Sequence, residues 1–231
     1  ESKLFFKPES PRLLEQELCD RRYVCKPIHI GGNTDPYQPV ERDERMTRGV
    51  IEVLSRFNHP FSIITKSALI ARDTDLMGPM AEKGLVSAAV SITTLDRKLA
   101  RAMEPRAATP ARRLEAISRL AGAGVPVTVG FAPVIPGLND HEMEAVLEAA
   151  KKAGATGAMY VTLRLPLEIK DLFREWLAEA RPDRAKRVMS LVRQTRGGRD
   201  YDPDWGQRMK GTGPVAELIA TRFRTDRKSV V

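Results

Sequence analysis

Only two cysteines, Cys19 and Cys25, occur in 231 residues. That is too few for a disulfide framework, and their C-x5-C spacing matches no common metal-binding pattern. A reducing compartment suits such a chain better than secretion. The three histidines, His29, His59 and His141, lie far apart, so each reads as a structural or surface residue rather than a ligand. No apolar run approaches the roughly 18–20 residues that a membrane span requires, and the first residues lack the apolar core of a signal peptide. A glycine-rich phosphate loop, a nucleophile paired with histidine, and the H-E-x-x-H pattern are all missing. There is no repeat of fixed period. These absences argue against a secreted disulfide scaffold, a membrane-spanning chain and a solenoid, and leave the expectation of a soluble, cytoplasmic protein.

What is present is enough apolar sequence, 42% of residues, for one sizeable core at a length where α/β barrels fold as a single domain. The net charge of +8 is unevenly placed: residues 181–231 hold 13 Lys and Arg against 6 Asp and Glu. Such a stretch is the footprint of a polyanion partner, although solubility alone explains it equally well. Tyr201 and Trp205 lie within it and could stack on bases. The sequence opens on Glu1 rather than methionine and runs at once into Leu4-Phe5-Phe6, which gives the expectation that its true beginning lies upstream.

Strand and helix patterns alternate along most of the chain. Leu4 to Phe6 reads as a short strand. A helix is expected over 11–19, with Ser10 as its cap and Pro11 in its first turn. Strands are expected at 28–30, 62–65, 86–92, 125–131 and around Tyr160. Between them lie helices at 41–57, where Met46, Val50, Val53, Leu54 and Phe57 share one face, then at 73–83 and 96–103. Another begins at Pro110 with Thr109 as cap and Leu114, Ile117 and Leu120 on one face. The last of this set starts at Asn139, with Glu142 three residues on as a capping box. The strands are near-continuous apolar runs, as in a parallel sheet covered on both sides, and the alternation predicts a partial α/β barrel over 1–166. Beyond Pro166 the pattern becomes helical, over 168–180, 183–195 and 214–223, with an irregular stretch at 196–206. Residues 167–231 are expected to form a helical, basic extension.

Each strand empties into a polar loop. Ile28-His29-Ile30 breaks into Gly31-Gly32-Asn33-Thr34-Asp35, where amide, hydroxyl and carboxylate occur within three residues beside two glycines that let a ligand approach the backbone. The same residues before Pro36 also make an ordinary capped turn. Lys66 follows the second strand and is placed either to pair with a carboxylate or phosphate, or simply to snorkel at the rim. Ser91 and Thr93 share one face of their strand, free to bind a ligand or to satisfy neighbouring backbone. Arg106 suits a carboxylate or plain solvent. Val134, Ile135, Pro136 and Gly137 could shelve a flat ring, or form a stiff connection. From spacing alone the reading stops at a barrel enzyme for a small zwitterionic or anionic ligand.

Six motifs in order carry a more specific likeness: Gly32-Asn33-Thr34-Asp35-Pro36-Tyr37-Gln38-Pro39, Ile64-Thr65-Lys66-Ser67, Ser91-Ile92-Thr93-Thr94-Leu95-Asp96, Glu104-Pro105-Arg106-Ala107, the run from Pro133 to Asp140, and Leu163-Arg164-Leu165-Pro166. Together they resemble the radical S-adenosylmethionine (SAM) proteins related to spore photoproduct lyase, often labelled DNA repair photolyase-like. The resemblance implies a partial TIM-like (β/α)6 barrel with a helical C-terminal extension. It also implies a 4Fe-4S cluster held by C-x3-C-x2-C, and reductive cleavage of SAM to a 5′-deoxyadenosyl radical that abstracts hydrogen from a substrate such as damaged nucleic acid. An electron donor such as flavodoxin or ferredoxin is implied with it. By the same resemblance Asn33, Thr34 and Asp35 approach the methionine and ribose parts, Lys66 and Ser91 are further cofactor contacts with Thr93 and Arg106 beside them, and Val134 to Gly137 form the adenine shelf. The three-cysteine loop is absent from these 231 residues, and Cys19 with Cys25 cannot replace three thiolates at short spacing. The chain is therefore expected to be an incomplete, inactive piece. The alternatives are a nucleic-acid-binding barrel without catalysis and a non-radical barrel lyase for a small anion.

Overall fold

A computed structural model describes residues 7–227 of the chain; the strand expected at Leu4 to Phe6 lies outside them. Five parallel strands, β1 (Ile28–Ile30), β2 (Phe61–Thr65), β3 (Val86–Ser91), β4 (Val127–Val134) and β5 (Gly157–Thr162), are hydrogen-bonded in chain order. Each connection carries helix: α1 (Ser10–Leu18) precedes β1, α2 (Glu41–Glu44) and α3 (Met46–Arg56) lead to β2, and α4 (Thr74–Glu82) leads to β3. After β3 come α5 (Arg97–Met103) and α6 (Pro110–Gly122), then α7 (Met143–Lys152) before β5. Three helices, α8 (Ile169–Ala180), α9 (Ala185–Gln194) and α10 (Gly213–Arg227), close the chain. This is the α/β architecture of a partial TIM-like barrel.

Period-two alternation along each strand decides what each face does. One row, including Phe61, Ile63, Val86, Ala88, Val90, Val127 and Val129, is buried with Ile51, Leu54, Met77, Ile117, Leu120, Val146 and Leu147 from the helices. The other row carries His29, Ser62 and Ser87 in register, with Ile64, Ala89, Thr128 and Gly157 in register further on. His29, Ser62, Ser87, Ala89 and Thr128 stay half-buried or exposed, and His29 Nδ1 lies 2.8 Å from Ser62 Oγ. The expectation of a sheet covered on both sides is corrected here: among the described residues helices cover one face, and the second is the inner wall of an open barrel, polar at His29, Ser62, Ser87 and Thr128 and apolar where Met159 lies against Gly130.

A second core, Leu99, Ile135, Leu138, Leu163, Leu165, Leu177, Val188 and Val192, fastens α8 and α9 to the strand ends. Gly137, at φ +77°, lies where a side chain would press on Leu191. Helix α10 returns to the barrel, with Ile219 and Phe223 in the main core and the Phe223 ring 4.7 Å from that of Tyr160.

Three local expectations are corrected. The helix at 41–57 is broken at Arg45, whose φ is +51°, because the Glu41 carboxylate accepts from the Thr47 and Arg48 amides and caps α3 from within the same segment. Ser10 opens α1 but is not its cap: its hydroxyl donates to the Lys7 carbonyl at 2.6 Å. Asn139 does not cap α7, which starts four residues later after a 3-10 turn at Asp140–Glu142. Its side chain is fully buried, accepting from the Ile135 amide at 2.7 Å and donating to the carbonyls of Thr93 and Pro133.

Candidate active site at the strand ends

The carboxyl ends of the five strands lie on one side of the parallel sheet, the side where α/β barrels place their reactive groups. Gly31 turns the chain out of β1 at φ +96°, so close to β2 that a Cβ would collide with the Ile64 carbonyl. The turn leaves Asn33 and Thr34 exposed. Asp35 is used differently. One of its oxygens accepts from Thr65 Oγ1 at 2.6 Å and from the Tyr37 amide at 2.9 Å, and the other accepts from the Lys66 amide at 2.7 Å. It therefore ties the β1 loop to the end of β2. Beside this loop, Ile30, Thr34, Val40, Met46 and Val50 help to line a cavity of about 340 Å³.

The loop is held from behind by a charged network. Asp73, fully buried, takes Arg72 and Arg48 as ion-pair partners and accepts from the Tyr37 hydroxyl at 3.0 Å. Burial first, and then the Asp73 charge, push the Tyr37 phenol far above its ordinary range. Thr47 donates to the Pro36 carbonyl at 2.5 Å, so the polar turn rests on α3.

Next along the sheet, Lys66, Ser91 and Thr93 share the inner-wall parity. Lys66 Nζ pairs with Glu104, whose second oxygen accepts from Arg113 at 2.6 Å. Thr93 Oγ1 lies 3.1 Å from both Glu104 and the Ala132 carbonyl, and its one proton serves one of them at a time. Ser91 donates to the same Ala132 carbonyl at 3.1 Å. Burial pushes the Glu104 carboxyl upward, but the charges of Arg113 and Lys66 outweigh it and hold it below the ordinary glutamate range. The Lys66 side chain stays 40% exposed, so its ammonium remains open to a ligand while leaning on Glu104. Arg106 sits in the loop after α5.

The stretch Val134 to Gly137 turns most of its side chains inward: Val134 joins the main core, Ile135 the second core, and Pro136 is buried. What it can offer a flat ring is backbone, held by Asn139 on Ile135 and by Asp140 on the Gly137 amide at 2.7 Å. Three groups that organise the site escape a reading of the sequence. Glu104 is hidden in a loop motif, and Glu142 fixes Thr94 and the Leu95 amide. Arg113 did leave a signal, a cation on the apolar face of α6 in step with Ala116, Ile117 and Leu120.

Two cofactor questions can be put to these residues. An exposed amide and hydroxyl, a shared ammonium and an exposed backbone at Gly32 form a donor set suited to a ligand with carboxylate, amine and hydroxyl groups, as SAM has. For a 4Fe-4S cluster the described residues do not fit: none of them group as three His, Cys, Asp or Glu able to hold a metal ion, and Cys19 and Cys25 are both exposed. Among the described residues no helix is long and apolar enough to cross a membrane.

The family model described as the Radical SAM superfamily matches residues 6–150. An uncharacterised protein of Mycobacterium tuberculosis is 34% identical over 210 residues, covering 90% of this chain and 60% of its own length, and its Mycobacterium bovis counterpart matches equally. An uncharacterised protein of Methanocaldococcus jannaschii is 26% identical over 54% of this chain and 47% of its own. The chain thus spans about 60% of the length of the mycobacterial relatives. Among solved structures, a mutant of spore photoproduct lyase superposes with a TM-score of 0.52 at 15% identity, over 74% of this chain and 50% of that one.

Proposed function

The chain belongs to the radical SAM superfamily, and from that premise we propose that the strand ends bind S-adenosylmethionine within a larger enzyme that uses it for hydrogen abstraction. The observation that carries this is the convergence of Asn33, Thr34, Lys66, Ser91 and Thr93 at the carboxyl ends of β1, β2 and β3. When bound and given one electron by an external reductant, SAM would supply methionine and the 5′-deoxyadenosyl radical characteristic of this superfamily. The chain's own part is binding and orientation. Asn33 and Thr34 meet the methionine and ribose groups, with Asp35 holding their loop in place. Lys66 faces the methionine carboxylate, its position set by Glu104, and Arg106 suits a carboxylate from the following loop. Ser91 and Thr93 fix the Ala132 carbonyl, so that the backbone of Val134 to Gly137 is held as a rigid shelf for adenine. No step is derived through a 4Fe-4S cluster, because the described residues offer no ligand set for one.

The finer reading is a cytoplasmic lyase on damaged nucleic acid, with flavodoxin or ferredoxin as reductant and residues 1–166 and 167–231 as barrel and extension. It rests on the name of the structural neighbour and on the basic composition of residues 181–231. The test uses the full reading frame that encodes this chain, reconstituted anaerobically with iron and sulfide and reduced with dithionite. Formation of 5′-deoxyadenosine from SAM is expected. A protein that carries a filled cluster and yields none would refute the proposal.

A further inference from the structure

Helices α9 and α10 are joined by a strap, residues 195–212, that lies across the carboxyl end of β5. The Met209 carbonyl accepts from the Thr162 amide at 2.9 Å, and the Thr212 amide donates to the Thr195 carbonyl at 3.0 Å. The strap's own Arg196 turns inward and is 1% exposed. Its terminal nitrogens donate to Thr162 Oγ1 at 2.8 Å and to the carbonyls of Leu163 and Gln207, all neutral acceptors, and its Nε is buried without a partner. No carboxylate of the described residues lies within ion-pair distance of it. A buried cation so placed is costly unless a negative charge completes it.

Two more arginines stand next to these contacts in the chain. Arg164 follows Thr162 by two residues, reaches Met209 Sδ at 3.8 Å, and has its own buried, unpartnered Nε. Arg208 directly precedes Met209, and its Nε is likewise buried and unpartnered. Its guanidinium lies 3.5 Å from the centre of the Trp205 ring. Trp205 is 80% exposed, so its second face is open. Burial, reinforced by the Arg164 charge, lowers the Arg196 pKa despite the opposing pull of Asp202 and Tyr201.

We propose that Arg164 and Arg208 form a phosphate site, with buried Arg196 adding its charge from behind, and that Trp205 stacks the attached base, so that the strap receives one nucleotide unit of a nucleic acid or a free nucleotide. Guanidinium forks match phosphate geometry, and an open indole face accepts any base. The inference deepens the nucleic-acid reading above and takes only the ligand class from it.

The test is titration of the full chain with inorganic phosphate, AMP and single-stranded oligothymidylate, followed by Trp205 fluorescence and by calorimetry, with circular dichroism to verify the fold of each variant. AMP and the oligomer are expected to bind at least 10-fold more tightly than phosphate. R164Q and R208Q should each weaken binding at least 10-fold, while R199Q, an exposed arginine of the same strap, changes it less than 2-fold. Binding of AMP equal to that of the oligomer assigns a single nucleotide, and tighter binding of the oligomer assigns a strand. The proposal is overturned if folded R164Q and R208Q bind like the parent chain, if R199Q loses as much, if phosphate binds as tightly as AMP, or if SAM displaces the probe one for one. Failure to bind nucleotide while SAM still binds refutes this site alone, and the reverse outcome refutes SAM binding at the strand ends alone.

Discussion

Replacing Glu104 by glutamine tests the electrostatic centre of the site most directly. The side chain keeps its shape, but Arg113, 2% exposed, loses its carboxylate partner at 2.6 Å. Removing one member of a buried pair costs about 3–5 kcal/mol. Arg113 also donates to the carbonyls of Ala108 at 2.8 Å and Ser91 at 2.9 Å, which places the cost near the lower end, about 3 kcal/mol. At about 2–4 °C per kcal/mol for a chain of this size, E104Q should melt roughly 6–12 °C below the parent. The comparison is K66M. Lys66 is 40% exposed, and a pair screened to that degree contributes about 0–1 kcal/mol, so its melting point should fall by less than about 4 °C. Thermal unfolding at pH 7, followed by circular dichroism, separates the two. Equal small losses for both variants would refute the view that Arg113 and Glu104 form a buried structural pair with Lys66 as its solvent-facing branch.

The acid limb of stability should show the same carboxylate. A depressed pKa contributes stability that is present above the ordinary glutamate value of about 4.3 and is lost as pH falls through the lower folded value, so urea midpoints between pH 5 and 3 should decline less steeply in E104Q. Asn139→Ala strands the Ile135 amide and two carbonyls in the interior, a loss of at least about 2 kcal/mol by urea unfolding; a change below 0.5 kcal/mol on that scale would contradict the burial argument. Gly31→Ala meets both the positive φ and the Ile64 carbonyl. It should lower stability by more than about 1 kcal/mol, and an unshifted midpoint would rule that strain out. Lys66→Met should weaken SAM binding by about 10-fold, roughly the 1.4 kcal/mol of one charge-assisted hydrogen bond, and calorimetry with the reconstituted full-length protein reads it.

Much of the barrel was legible because its strands and helices obey simple periods. Val86 to Ile92 could hardly be anything but a strand, and Leu114, Ile117 and Leu120 sit at helical spacing. Asn139 shows where local rules end. Its N-x-x-E context has the form of a capping box, but the buried Ile135 amide competes for the same Oδ1 and wins, because an orphaned buried N–H costs more than a helix cap returns, while the side-chain NH2 serves the carbonyls of Thr93 and Pro133. Arg45 shows the same competition in charge, since a carboxylate five residues before α3 serves its amides better than a continuous helix would. The loops flagged at Asn33, Lys66 and Ser91 do gather at one end of the sheet. Their division of labour, with Asp35 bracing while Asn33 and Thr34 face outward, depends on partners more than 25 residues away in sequence. The strap was visible only as irregular sequence, because the carbonyls that anchor it, those of Met209 and Gln207, carry no side-chain signature.

The chain-order arrangement of the five strands has a kinetic consequence. Every new strand is added to the edge left by the one before, so no pairing waits for a distant segment, and the sheet can grow from β1 to β5 as the polypeptide leaves the ribosome. Until Met209 docks on Thr162, the β5 edge of each intermediate stays open. The strap therefore arrives only after all five strands, and its release would expose that end of the β5 edge to its neighbours.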